Sequence, residues 1–123
     1  MFGIGWAGLG VSWIFVSIHD YGHLDTISSA VITFLFIVYI SLFPALMAAT
    51  YQLLAPIKKR LHACILFSAL WCLTEFCRAH VLGGFPWLLL GYGQVDSPVK
   101  YILPITGIYG AGFIVCLAAT FLA

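Results

Sequence analysis

The run Trp71–Pro98, WCLTEFCRAHVLGGFPWLLLGYGQVDSP, sets the tightest limits on how this chain can fold. It places Glu75 and Arg78 three residues apart in an otherwise apolar stretch, then breaks into Gly83-Gly84, Phe85-Pro86-Trp87 and a polar tail. A charged side chain at membrane depth costs about 2.5–3.5 kcal/mol on insertion scales, so such residues face a bundle interior or a polar cavity rather than lipid. On a helix, positions three apart share a face, so Glu75 and Arg78 can meet there, and pairing offsets much of the cost of each charge. Two roles fit the pair: a salt bridge that locks this helix against its neighbours, and a charged floor for a lipid headgroup or reaction site.

The membrane setting follows from composition. Of 123 residues, 63% are hydrophobic and 7% charged, against about 25% charged in a typical soluble domain. Mean hydropathy is +1.12. So few charges cannot build a water-soluble surface, and the chain reads as an all-α, polytopic membrane helix bundle. A net charge of +1 excludes nucleic acid as a partner, because that footprint needs a clustered basic face. The segment 1–10 has no basic start and does not read as a cleaved signal peptide.

A bilayer core takes roughly 20 apolar residues per helix. The apolar runs predict about four transmembrane helices, near residues 2–18, 26–54, 61–82 and 99–123, in one transmembrane domain over 1–123. Asp25 or Thr26 is the expected N-cap of the second. Pro44 predicts a kink within it, and Pro104 falls about one turn inside the fourth. The stretch 83–98 is the expected irregular segment. Lys58, Lys59 and Arg60 lie together in the turn APIKKR; such clusters stay in the cytoplasm, which puts His19–Asp25 and Gly83–Pro98 on the opposite, periplasmic face. The first run has no polar flank before it and the last has no polar tail, which predicts a piece of a larger bundle.

Several motifs read more simply than their patterns suggest. Gly3-Ile4-Gly5-Trp6-Ala7-Gly8 matches G-x-G-x-x-G, but the dinucleotide reading needs a preceding strand. Close helix packing through small residues is the better account, here and at Gly107, Gly110 and Gly112. His19, Asp20, His23 and Asp25 have ligand-like types, yet the segment reads as an interfacial turn with Gly22 at the bend and Tyr21 at headgroup level, and no metal residue is assigned. Cys64, Cys72, Cys77 and Cys116 lie in apolar runs without a CxxC and behave as small hydrophobes. A catalytic order Glu75, Lys100, Cys116 can be written and is rejected, because a thiol deep in an apolar helix is inert. No motif implies a cofactor.

The broken segment itself is the candidate site. Pro86 holds Phe85 extended. Trp87 and Tyr92 are the types that sit at the membrane–water boundary, and Gly91 and Gly93 permit tight turns beside Tyr92. Gln94 and Asp96 supply polar groups at the rim. The segment reads either as part of an aromatic belt or as a rigid wedge against lipid acyl chains.

Taken in order, Trp71, Glu75 and Arg78, then Gly84-Phe85-Pro86-Trp87, Gly91-Tyr92, Gln94, Asp96 and Pro98, resemble the membrane domain of the apolipoprotein N-acyltransferase family. Ser12–Ile18 and Tyr109-Gly110 fit the same pattern. The resemblance implies an enzyme of the bacterial inner membrane. It takes an acyl chain from a phospholipid donor and passes it through a cysteine thioester to the α-amino group of a diacylglyceryl lipoprotein acceptor. The family's catalytic Glu-Lys-Cys set lies in an outer-face, nitrilase-like domain absent from this sequence, so no catalytic residue is expected here. The lipid-binding residues expected are Phe85, Trp87 and Tyr92 along the acyl chains, with Glu75, Arg78 and Gln94 organising the floor. The alternative is a small non-enzymatic helical membrane protein with a structural or partner-binding role. A small transporter would want paired discontinuous helices or an internal repeat.

Overall fold

Long apolar runs without interior turn signals satisfy their backbone groups locally, and in a membrane only helices or closed barrels do so. The computed structural model of the chain, which describes residues 2–54 and 59–123, is accordingly helical, with no strand among the described residues. Its α-helices are α1 (Phe2–Val11), α2 (Trp13–Val16), α3 (Thr26–Leu54), α4 (Arg60–His80) and α5 (Leu103–Leu122). Three of them are long and apolar enough to cross a membrane, or four spans result if the bent pair at the N-terminus counts as one. Of the basic turn, Lys58 and its neighbours at 55–57 lie outside the described residues; Lys59 is exposed and Arg60 opens α4.

The chain divides into two compact units, Met1–Ala45 and Leu46–Ala123, with the boundary inside α3 just past Pro44. In the first unit, the single helix expected over 2–18 is instead broken at Ser12. The α1 axis and the stretch Trp13–Tyr21 meet at 44°, and the second stretch ends in a π-helical turn, Ser17–Tyr21. A π turn absorbs one extra residue per turn, which re-aims the backbone as it enters the polar loop. Gly3 packs closely on α3, where an added Cβ would stand 3.1 Å from the Ser41 carbonyl oxygen and from Pro44 Cγ; Gly5 and Gly8 face open space. Only the first glycine of the motif therefore serves packing. The buried stripe on α1 is Ala7 and Val11, and on this part of α3 it is Ser29, Thr33, Ile40 and Ser41.

The loop before α3 is held by its own polar groups. Asp25 Oδ2 accepts the Ser28 backbone N–H at 3.0 Å, the N-cap its residue type favours. That hydrogen bond holds the Asp25 carboxyl below the usual carboxylate range. His19 lies 2.7 Å from Asp20 Oδ1 through Nδ1 and 3.2 Å from Thr26 Oγ1 through Nε2, and it stacks on Phe15.

In the second unit α4 and α5 run antiparallel. The Arg60 guanidinium donates to the Phe121 carbonyl at 2.9 Å at one end, and Phe76 meets Tyr109 edge-on at the other. Between them Cys64 and Cys72 direct their thiols at the carbonyls of Thr120 and Tyr109. The fourth predicted helix starts differently from expectation. A short 3-10 turn, Pro98–Tyr101, precedes α5, capped by Ser97 Oγ accepting the Val99 N–H at 3.2 Å. Pro104 consequently sits in the first turn of α5, where its missing N–H costs nothing. Gly107 is not a packing glycine: at φ 67°, ψ −176° it interrupts α5 in a region only glycine enters readily.

A candidate lipid-facing site on a broken segment

The site begins with a stripe along α4. Cys64, Ser68, Glu75 and Arg78 are its buried residues, with Trp71 and Cys72 half-buried between them. The spacing is that of one helical face. Glu75 and Arg78 are each 3% exposed, so neither charge meets lipid.

What they hold is the backbone of the segment that follows. After α4 the chain makes a 3-10 turn, Val81–Gly83, and passes through three successive residues at positive φ: Leu82 (52°), Gly83 (88°) and Gly84 (71°). Glycine adopts that region freely, and the result is a sharp reversal. The returning strand of chain is tied to α4 at three points. Phe85 N–H donates to the Arg78 carbonyl at 2.9 Å. Arg78 Nη2 donates to the Leu88 carbonyl at 3.3 Å. Leu90 N–H donates to Glu75 Oε1 at 2.8 Å, and the same oxygen accepts the Trp71 indole N–H at 3.1 Å. A backbone without regular structure inside an apolar bundle needs such partners, because each unmet group costs several kcal/mol there.

The segment also reaches α5. Gly91 is buried so closely against Ile108 that an added Cβ would fall on the Ile108 carbonyl oxygen. Gly112 of α5 comes near Glu75, with an added Cβ 3.3 Å from Oε2. The two glycines let the segment lie between α4 and α5, with Leu89 buried.

The aromatic residues expected at the site are presented outward from this anchored base. Phe85 is half-buried, and its ring lies 6.4 Å from that of Trp87. Trp87 is 52% exposed and Tyr92 49%. Gln94 stands apart from the Glu75 and Arg78 contacts: its backbone closes successive turns, donating to Gly91 O and accepting from Ser97 N–H and Oγ–H. Asp96 is exposed on the same stretch. Two contacts escaped sequence reasoning. Trp71, already part of the resemblance, donates its indole N–H to Glu75, a link visible only in its i, i+4 spacing. Gly112 enters as the close approach to the carboxyl, and nothing in the sequence ties it to Glu75.

The chain is similar to known proteins along nearly its whole length. The family described as the apolipoprotein N-acyltransferase N-terminal domain matches residues 1–121. The apolipoprotein N-acyltransferase of Methylococcus capsulatus is 39% identical over 119 residues, covering 97% of this chain and 24% of that protein. The protein of the same name from Coxiella burnetii is 40% identical over 116 residues, covering 94% of this chain and 24% of its own length. That of Nitrosomonas europaea is 35% identical over 123 residues, covering 99% and 24%. The chain thus spans about a quarter of the length of the curated relatives it matches.

Proposed function

The chain belongs to the apolipoprotein N-acyltransferase N-terminal domain family, and on that premise we propose that it forms the lipid-facing membrane platform of an acyl transfer. The donor is a phospholipid and the acceptor is the N-terminal diacylglyceryl-cysteine of a lipoprotein. Within this chain the work is binding and orientation. The thioester chemistry belongs to the nitrilase-like domain that the family resemblance implies, and no catalytic residue is assigned here.

One observation carries the reading: an aromatic wedge, Phe85 to Trp87, with Phe85 half-buried and Trp87 52% exposed, stands on a backbone tied to two buried charged residues of α4. A loosely held loop would adapt to any neighbour. A loop anchored at Phe85, Leu88 and Leu90 offers a fixed apolar surface, and preorganised surfaces lose less on binding. Trp87 and Tyr92 combine an apolar ring with a polar tip, which suits the level where acyl chains meet headgroups. Gln94 and Asp96 provide polar groups at that rim. In this reading Gly83–Pro98 lies on the periplasmic side of the bacterial inner membrane and Lys58–Arg60 on the cytoplasmic side, as the positive charge of that turn favours.

The test is Trp87→Ala in the full-length enzyme. Acyl transfer from phospholipid should fall at least tenfold while the helical content and the thermal unfolding of the protein are unchanged. Transfer at the wild-type rate would refute the lipid-contact role of the wedge.

A further inference from the structure

We propose that Glu75 is a positioning residue, whose Oε1 pins Leu90 to Trp71 and so fixes where the Phe85–Trp87 wedge meets the acyl chains of a phospholipid. The proposal rests on the lipid-contact reading of the wedge and assigns the residue that sets its place.

Glu75 Oε1 accepts from two donors of different kinds, the Leu90 backbone at 2.8 Å and the Trp71 indole at 3.1 Å. The first belongs to the returning segment and the second to α4, so one oxygen ties the two together. The carboxyl is enclosed by α5 as well, because Oε2 lies where a Cβ on Gly112 would come within 3.3 Å. The backbone of α5 thus bounds the carboxyl on that side. Oε2 has no hydrogen-bond partner among the described residues. The hydrogen bonds of the carboxyl among the described residues therefore all run through Oε1, the oxygen that joins the two elements.

The wedge lies between this tie and a reversal. On its N-terminal side are Leu82, Gly83 and Gly84, all at positive φ; on its C-terminal side is Leu90, held by Glu75. Leu88, also at positive φ (59°), is braced by Arg78 through its carbonyl. Loss of the Leu90 tie leaves the wedge held to α4 at Arg78, through Phe85 N–H and the Leu88 carbonyl, and so loosens its C-terminal side.

The design predicts what each replacement of Glu75 does. Glutamine keeps a carbonyl acceptor at the Oε1 position and exchanges an unpaired oxygen for an unpaired amide, so Glu75→Gln retains the tie. Leucine has similar volume and no acceptor, so Glu75→Leu loses it.

The experiment follows amide hydrogen exchange in the protein reconstituted in lipid nanodiscs. Leu90 N–H should exchange slowly in the wild type and within about threefold of that rate in Glu75→Gln. In Glu75→Leu it should exchange at least tenfold faster, with amides at the centres of α4 and α5 still protected. If Glu75→Leu leaves Leu90 as slow as wild type, or if Glu75→Gln is as fast as Glu75→Leu, the proposal is overturned. Should Glu75→Leu lose protection throughout α4, Trp71→Phe decides: faster exchange at Leu90 with intact helices supports the tie, and an unchanged rate overturns it. In the full-length enzyme Glu75→Leu should raise KM for phospholipid more than it lowers kcat, with Glu75→Gln restoring KM; a fall in kcat at unchanged KM overturns the positioning role. The exchange result does not depend on acyl transfer, so a failed lipid-contact reading, seen as wild-type transfer by Trp87→Ala, is distinguishable from a failed tie.

Discussion

Gly91→Ala puts the anchored segment to its severest steric test. The backbone at Gly91 is ordinary, with φ −66° and ψ −27°, so alanine brings no conformational strain of its own. Its methyl would nevertheless fall on the Ile108 carbonyl oxygen, 2.8 Å from Ile108 Cγ2 and 2.9 Å from the carbonyl carbon. Side-chain rotation cannot relieve a clash with backbone, so the segment must back away from α5 by about 1 Å, and overpacking of this kind costs about 1–3 kcal/mol. That movement pulls on the neighbouring Leu90 N–H, whose bond to Glu75 is 2.8 Å long. Losing it leaves the buried Leu90 N–H unmatched, while Glu75 Oε1 keeps the Trp71 indole, for a further loss of about 1–3 kcal/mol. Gly93 is the control, because nothing lies within 4 Å of a Cβ built there; Gly93→Ala should stay within about 0.5 kcal/mol of wild type. Unfolding by SDS titration in bicelles, followed by circular dichroism, measures both. Equal stability of the two variants would refute the close docking of the segment on α5.

Gly107→Ala should destabilise the protein by about 1–3 kcal/mol in the same assay, because φ 67° with ψ −176° is accessible to little besides glycine; a neutral result would mean α5 runs unbroken. The pH dependence of the α3 cap has a fixed sign. The folded Asp25 carboxyl titrates below its unfolded value, which is about 3.9 for a free aspartate. Its contribution is therefore complete above that value and is lost as pH falls through the lowered folded one. The Ser28 amide resonance should shift and its exchange should quicken over that acid range, while amides in mid-helix do not respond. A Ser28 amide insensitive to acid would contradict the cap.

The all-α membrane class was legible because it rests on composition and run length, which no tertiary contact overrides. The importance of Trp71–Pro98 was equally legible, since two charges in an apolar helix and a Gly-Gly-Phe-Pro-Trp break cannot be accidents of lipid solubility. The partners of those charges were not. Reading Glu75 and Arg78 as neighbours on one face considers only their own helix, whereas Leu88 O and Leu90 N–H reach them across the reversal at 82–84. Gly107 and Gly112 look alike in sequence and act differently: one breaks α5 and the other admits a carboxyl. What separates them is the backbone conformation of Gly107 and the carboxyl facing Gly112, neither of which the sequence displays. The break at Ser12 was hidden for a similar reason, because Ser12 interrupts neither the apolar run nor the helical propensity of its neighbours, and the 44° bend appears only in the folded chain.

The account turns on the broken segment and the basic turn facing opposite sides of the membrane. On a cysteine-free background, Gln94→Cys and Lys59→Cys should be labelled by a membrane-impermeant thiol reagent from opposite faces of sealed, oriented vesicles. Gln94 is the better probe than Gly84, where any side chain would collide with the Ala79 carbonyl. The account predicts that intact right-side-out vesicles label position 94 at once and position 59 only after permeabilisation. Labelling of both positions from one face would contradict it.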